Sequence, residues 1–148
     1  MNQRPMLVAL AVLSLALLLS GCAGTPKIPA DAALTVSGSV GQATGWTIDE
    51  LSAKDQVHAM APCADSGRDK EFKGPSLNAL LDEAKPKKRA AEVVFTGAEG
   101  YQAVVSLDAI RETTDAIVAV TPKGKCRLIL PGMPEDKQVL GLTKIELR

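Results

Sequence analysis

A run of fourteen almost wholly apolar residues, Met6 to Leu19, follows the short positive start Met1-Asn2-Gln3-Arg4. A helix needs roughly 20 such residues to cross a bilayer, so the run predicts a cleaved export signal rather than a permanent span. Whatever folds must therefore be built from the residues behind it. Removal of residues 1–21 leaves 127 of the 148 residues, the size of one domain, and no internal repeat divides them.

The signal ends in Leu19-Ser20-Gly21-Cys22. These four positions behind an apolar core resemble the lipobox of bacterial lipoproteins, in which small residues admit the signal peptidase and the cysteine thiol takes a diacylglycerol. The resemblance implies a lipid-anchored envelope protein, with Cys22 the lipidated residue and palmitate-type acyl chains its anchor. One acyl chain holds a protein only marginally, whereas two or more anchor it stably. Ala23 and Gly24 follow the cysteine with no Asp beside it, which in Gram-negative lipoproteins implies the outer membrane, facing the periplasm. An ordinary secretory signal with an incidental cysteine is the alternative.

Arg4 is the one charge in the signal, so the mature part carries 16 basic and 17 acidic side chains. That balance lacks the basic footprint of a nucleic-acid binder. The four aromatics, Trp46, Phe72, Phe95 and Tyr101, are too scattered for a base-stacking platform. Lys85-Pro86-Lys87-Lys88-Arg89 is locally basic, but it falls between two predicted elements and reads as a solvated turn. Nucleic acid is thus excluded as a partner. A membrane, reached through the lipid, and an unidentified envelope protein or small ligand are the expected ones.

Residues 22–33 contain two prolines and no periodicity, and they read as a lipidated tether. From Leu34 the apolar residues Leu34, Val36 and Val40 alternate with Thr35, Ser37 and Ser39, a half-buried strand with Gly38 a candidate bulge. Thr47 and Glu50 have capping-box spacing, predicting a short helix over Ile48–Ala53. Gln56–Ala61 reads as a strand and Cys63–Lys73 as a loop. Leu77, Leu80, Leu81 and Ala84 predict a helix with Pro75 in its first turn, ending at Lys85 before Pro86. Glu92–Thr96 and Tyr101–Val105 predict a hairpin around residues 97–100, and Ser106 caps a short helix through Arg111. Ala116–Val120, Arg127–Leu130 and Val139–Leu147 complete about seven strands and three helices. With no βαβ alternation the class is α+β, a mixed sheet with short helices.

The order and spacing of several phrases resemble the sulfite-oxidase-type molybdopterin-binding domain over residues 34–148. They are Leu34-Thr35-Val36-Ser37-Gly38-Ser39-Val40, Thr47-Ile48-Asp49-Glu50-Leu51, Phe72-Lys73-Gly74-Pro75-Ser76-Leu77-Asn78-Ala79-Leu80-Leu81, Gly97-Ala98-Glu99-Gly100-Tyr101, Arg127-Leu128-Ile129-Leu130-Pro131-Gly132, and Val139 to Leu147. In catalytic members a cysteine thiolate before the "Gly-x-x-Leu" helix binds molybdenum, a metal such a soft ligand suits. Cys63 stands at about that place, and Arg127 is the corresponding candidate for gripping the cofactor. This chain departs from those members in three ways. A proline-containing tether precedes the first strand, Ala-Asp-Ser-Gly-Arg-Asp follows Cys63, and residues 121–126 are cut to a tight turn. The resemblance with its departures implies a reduced scaffold that binds a partner or ligand without cofactor or catalysis. The alternative is a molybdopterin-dependent oxidoreductase with Cys63 as the metal ligand.

Once Cys22 is lipidated, Cys63 and Cys126 are the only cysteines left, and an exported domain meets an oxidising compartment. A Cys63–Cys126 disulfide is the default expectation, with buried thiols or a redox-active or metal-binding Cys63 as alternatives. His58 is the only histidine and reads as structural. Asp65, Asp69 and Glu71 beside Arg68 and Lys70 read as a solvated loop. Met60, Phe72, Phe95 and Tyr101 read as core or pocket lining. No Gly-x-Ser-x-Gly nucleophile motif or phosphate loop is present.

Overall fold

The computed structural model describes residues 27–63 and 66–148. The expected export signal, Cys22 and Asp65 lie outside the described residues. Nine strands, three α-helices and one 3-10 turn follow the chain as β1 (Leu34–Gly38), β2 (Thr44–Trp46), α1 (Ile48–Ala53), β3 (Gln56–Pro62), β4 (Asp69–Pro75), α2 (Leu77–Ala84), β5 (Glu92–Gly97), β6 (Gln102–Ser106), α3 (Leu107–Glu112), β7 (Ile117–Val120), β8 (Cys126–Ile129), the 3-10 turn Glu135–Lys137, and β9 (Leu140–Leu147). The α+β class and mixed sheet match the expectation.

The last strand organises the main sheet. β9 pairs with β5 along one edge, antiparallel from Val93↔Leu147 to Gly97↔Leu142. Its other edge is divided. The first residues pair antiparallel with β8 at Cys126↔Leu142 and Arg127↔Leu140, and the last pair parallel with β1 from Thr35↔Lys144 to Gly38↔Leu147. β2 extends the sheet beyond β1, β6 beyond β5 and β7 beyond β8, giving seven strands. Leu34 and Val36 of β1, Val93 and Phe95 of β5, and Leu142, Ile145 and Leu147 of β9 meet in one core with Leu77, Leu80 and Leu81 of α2. Each such side chain contributes about 1.5–3 kcal/mol when fully buried.

The helices start where their caps say. The Thr47 hydroxyl accepts from the Glu50 amide at 3.2 Å while the Glu50 carboxylate accepts from the Thr47 amide at 2.9 Å, closing the capping box. Ser106 caps α3 by accepting from Ala109 N. α2 differs in detail: Ser76, not a residue before Pro75, is its N-cap, and Pro75 ends β4 opposite Gln56. A first-turn proline would have displaced the hydroxyl that the helix end needs. Lys85 then stops α2 in a left-handed conformation, φ 55°.

Two strands depart from the expectation. β2 is hidden in residues 41–46, where two glycines leave only Ala43 and Trp46 as apolar side chains and no alternation shows. β4 replaces the second half of the predicted loop Cys63–Lys73, and it pairs with β3 in register from Gln56↔Pro75 to Pro62↔Asp69. β4 carries one apolar side chain, Phe72, among charges, so its alternation is faint. The Ser66-Gly67 turn between the two strands, with Gly67 at φ +62°, was the available signal. Gly38 closes β1 at φ +90° as a strand end rather than a bulge.

The β3–β4 hairpin lies across β7. A Cβ on Gly74 would fall 2.1 Å from the Val118 carbonyl oxygen, so glycine is what lets β4 cross β7 at backbone contact. A second, smaller core fills the interface, with Ala59 and Ala61 of the hairpin on Ile117, Ala119 and Ile129, and Val57 and Phe72 at its rim.

Candidate functional site

The period of two along β3 places Val57, Ala59, Ala61 and Cys63 on the hairpin face turned toward β7 and β8, while His58, Met60 and Pro62 point outward. Directly paired residues of β4 share that inner face: Phe72 lies opposite Ala59 and Lys70 opposite Ala61. Cys63 closes the hairpin, donating its amide to the Arg68 carbonyl at 3.0 Å and accepting from Gly67 at 2.9 Å. The residue is 9% exposed.

Across the interface, the Arg127 guanidinium lies 4.7 Å from the centre of the Phe72 ring, and Lys70 Nζ lies 5.8 Å from it. A cation held over an aromatic face is stabilised by the ring's negative quadrupole, more so as water is excluded. Arg127 Nε is buried without a hydrogen-bond partner. The hairpin thus brings Phe72, Lys70 and Arg127 together, with Cys63 at the end of the same hairpin face.

Cys126 does not belong to that group. Pairing of β7 with β8 sets Ala119 beside Arg127 and Val120 beside Cys126. Arg127 faces the hairpin, whereas Cys126 packs in the main core with Val118 and Leu128 on the opposite face. No disulfide joins Cys63 to Cys126. The expected bridge fails because alternation along β8 sends Cys126 away from the hairpin that carries Cys63. Burial pushes the Cys126 thiol up to about 11, since the thiolate loses its hydration there.

The remaining candidates disperse. His58 pairs with Glu71 at 3.1 Å on the exposed outer face of the hairpin, as a structural histidine does. Phe95 is fully buried core, while Met60 is 54% exposed and lines neither core nor pocket. Among the described residues no group of three or more His, Cys, Asp or Glu is placed to hold a metal ion. No described helix is long and apolar enough to cross a membrane.

Two cavities open elsewhere, and neither was legible in the sequence. One, of about 610 Å³, lies between the tether and α1, walled by Ile28, Trp46, Lys54 and Glu83. There Trp46 Nε1 donates to Glu83 at 3.2 Å and Lys54 pairs with the same carboxylate at 2.5 Å. The other, of about 570 Å³, lies where β9 begins, walled by Tyr101, Lys125, Glu135, Gln138 and Leu140. Tyr101 and Leu140 are 49% and 62% exposed, and the Tyr101 hydroxyl donates to the Asp136 carbonyl.

A mixed sheet divided at its last strand, with a cysteine-tipped hairpin folded over β7 and an arginine beneath it, defines a domain of the sulfite-oxidase-type molybdopterin-binding class. The sequence matches the oxidoreductase molybdopterin binding domain over residues 23–148, and the chain belongs to that family. The crystal structure of the sulfane dehydrogenase SoxCD from Paracoccus pantotrophus superposes with a TM-score of 0.66 at 18% identity, over 77% of this chain and 37% of that one. At that identity the likeness is one of fold, and this chain spans little more than a third of its counterpart. No curated protein matches the sequence.

The family's cofactor asks for a soft sulfur, for cations and hydrogen-bond donors around pterin and phosphate, and for a seat large enough to hold them. Cys63 and the unpartnered Nε of Arg127 meet the first two demands in kind. Cys63, however, is buried at the hairpin turn, and neither cavity described above is lined by Cys63, Phe72 or Arg127. With Cys63 buried, the described residues do not present its sulfur to the enclosed group as they stand.

Proposed function

We propose that this is an envelope lipoprotein, held on a membrane through Cys22, whose molybdopterin-binding-type domain is a binding module for a small ligand or partner protein and carries no molybdenum chemistry. The observation that carries the reading is the burial of Cys63 at the turn of the hairpin, where the residue is only 9% exposed. Binding capacity lies instead at the start of β9. Tyr101 and Leu140 offer an apolar floor, and Lys125 and Glu135 offer charge of both signs at the rim of the 570 Å³ cavity, within the size range of small-molecule sites.

Arg127 favours a second reading, a molybdenum oxidoreductase with Cys63 as metal ligand, because a buried Nε without a partner is costly unless an acceptor reaches it. Elemental analysis and release of fluorescent pterin separate the two. The protein is made in a host that synthesises the cofactor, beside Cys63→Ser. The binding-module reading expects background molybdenum and pterin in both proteins. Near-stoichiometric molybdenum in the wild type, lost in Cys63→Ser, overturns it and establishes the oxidoreductase.

A further inference from the structure

The basic run Lys85-Pro86-Lys87-Lys88-Arg89 is fastened to the loop joining β1 and β2. Gly41 N donates to Lys85 O at 2.7 Å, Gln42 N to Ala84 O at 3.1 Å, and Lys87 N to Ser39 O at 2.9 Å. Val40 and Pro86 form an antiparallel bridge between them. The next residues of the same loop hold the tether: Lys27 N donates to Ala43 O at 3.0 Å, and Gly45 N donates to Lys27 O at 2.9 Å. Lys27 and Thr44 form a parallel bridge, so Lys27 is fastened to the same loop as the basic run. Cys22 is five residues upstream, a reach of at most about 17 Å for extended chain.

Lys27, Lys85, Lys87, Lys88 and Arg89 are all exposed, and none is in an ion pair among the described residues. The preceding acids do not neutralise them, because Asp82 is held by Arg111 at 2.8 Å and Glu83 by Lys54 at 2.5 Å. A chain of zero formal net charge therefore gathers five cations without an ion-pair partner among the described residues at the end that holds Lys27. That end is far from the Tyr101 cavity. Ser39 N bonds Leu147 O at the finish of β9, whereas Leu140 at its start lines the cavity, and eight strand residues separate the two by about 23 Å.

We propose that this end of the domain is a docking surface for anionic phospholipid headgroups, acting with the lipid on Cys22 as a two-part anchor that turns the Tyr101 cavity away from the bilayer. The inference rests on the lipoprotein reading of Cys22. Each cation brought near an anionic surface strengthens binding about fivefold, an attraction that acts over roughly one Debye length. Five residues of chain are short enough to let the cations come within that distance of the surface.

The test uses mature protein with its native lipid, reconstituted into vesicles of phosphatidylcholine alone or mixed with phosphatidylglycerol and treated with an amine-reactive reagent. Labelling of Lys87 and Lys88 is read by mass spectrometry against Lys123, on the β7–β8 turn. The expected result is labelling about fivefold slower at Lys87 and Lys88 in the anionic vesicles only, reversed by high salt, with Lys123 unchanged. The variant Lys87→Gln, Lys88→Gln, Arg89→Gln should lose the protection at Lys27 and Lys85. The same digest reports the mass of the Cys22 peptide. An unmodified Cys22 overturns the anchor and this inference with it, whereas a lipidated Cys22 with equal labelling in both vesicles, or protection that survives in the variant, overturns the docking surface alone.

Discussion

Gly74 stands where the backbones of β4 and β7 touch, and the space a side chain needs there is already filled by the Val118 carbonyl. Gly74→Ala must push the hairpin off β7 and is expected to destabilise the domain by about 2–3 kcal/mol, read as a lower midpoint in chemical denaturation. Unchanged stability would show that the hairpin is not tightly seated. Cys126 provides a pH signature. Its pKa rises from 9.0 to about 11 on folding, so the folded state holds the proton more tightly than the unfolded chain. Stability is then full below pH 9 and is lost as pH climbs through 11, and Cys126→Ala should flatten that decline. An identical alkaline slope in the variant would assign the loss to other groups. Residue identity announced both cysteines, but which way each sulfur points depended on the phase of alternation in β3 and β8. That phase is set by neighbours distant in sequence.

Short elements depend on local chemistry in proportion to their length. α1 has six residues and Leu51 as its buried anchor, too few to persist without its cap. Thr47→Ala is expected to cost about 1 kcal/mol, measurable as a shift in unfolding midpoint with little change of denaturant slope. A cost near zero would mean that packing of Leu51 alone holds the helix. The capping box, the apolar stripe of α2 and the β5–β6 hairpin were all legible because their signals are local: a side chain and its partner sit within four residues, or a turn separates two apolar runs. β4 was not legible. Its one apolar residue, Phe72, is explained by β7, β8 and Arg127, none of which is near it in the chain.

At the scale of the whole molecule, the lipid reading of Cys22 predicts that Cys22→Ser leaves the protein soluble or as uncleaved precursor, checked by fractionation and mass. Mature protein of the variant still sedimenting with membranes would show that something other than the lipid holds it. The apolar run, the residues before Cys22, the charge balance and the order of strand and helix signals are properties of the chain itself. They determined one domain of α+β class, set the expectation of export, and through their spacing carried the likeness to the molybdopterin-binding family, because export signals, caps and periodicity are read over a few neighbouring residues. Tertiary structure alone decided the opposite facings of Cys63 and Cys126, the burial of Cys63 at the hairpin turn, the meeting of Phe72 with Arg127, and the joining of the basic run to the loop that holds Lys27. Each of these depends on pairings between residues far apart in sequence, and above all on β9, whose single edge is shared by β8 and β1.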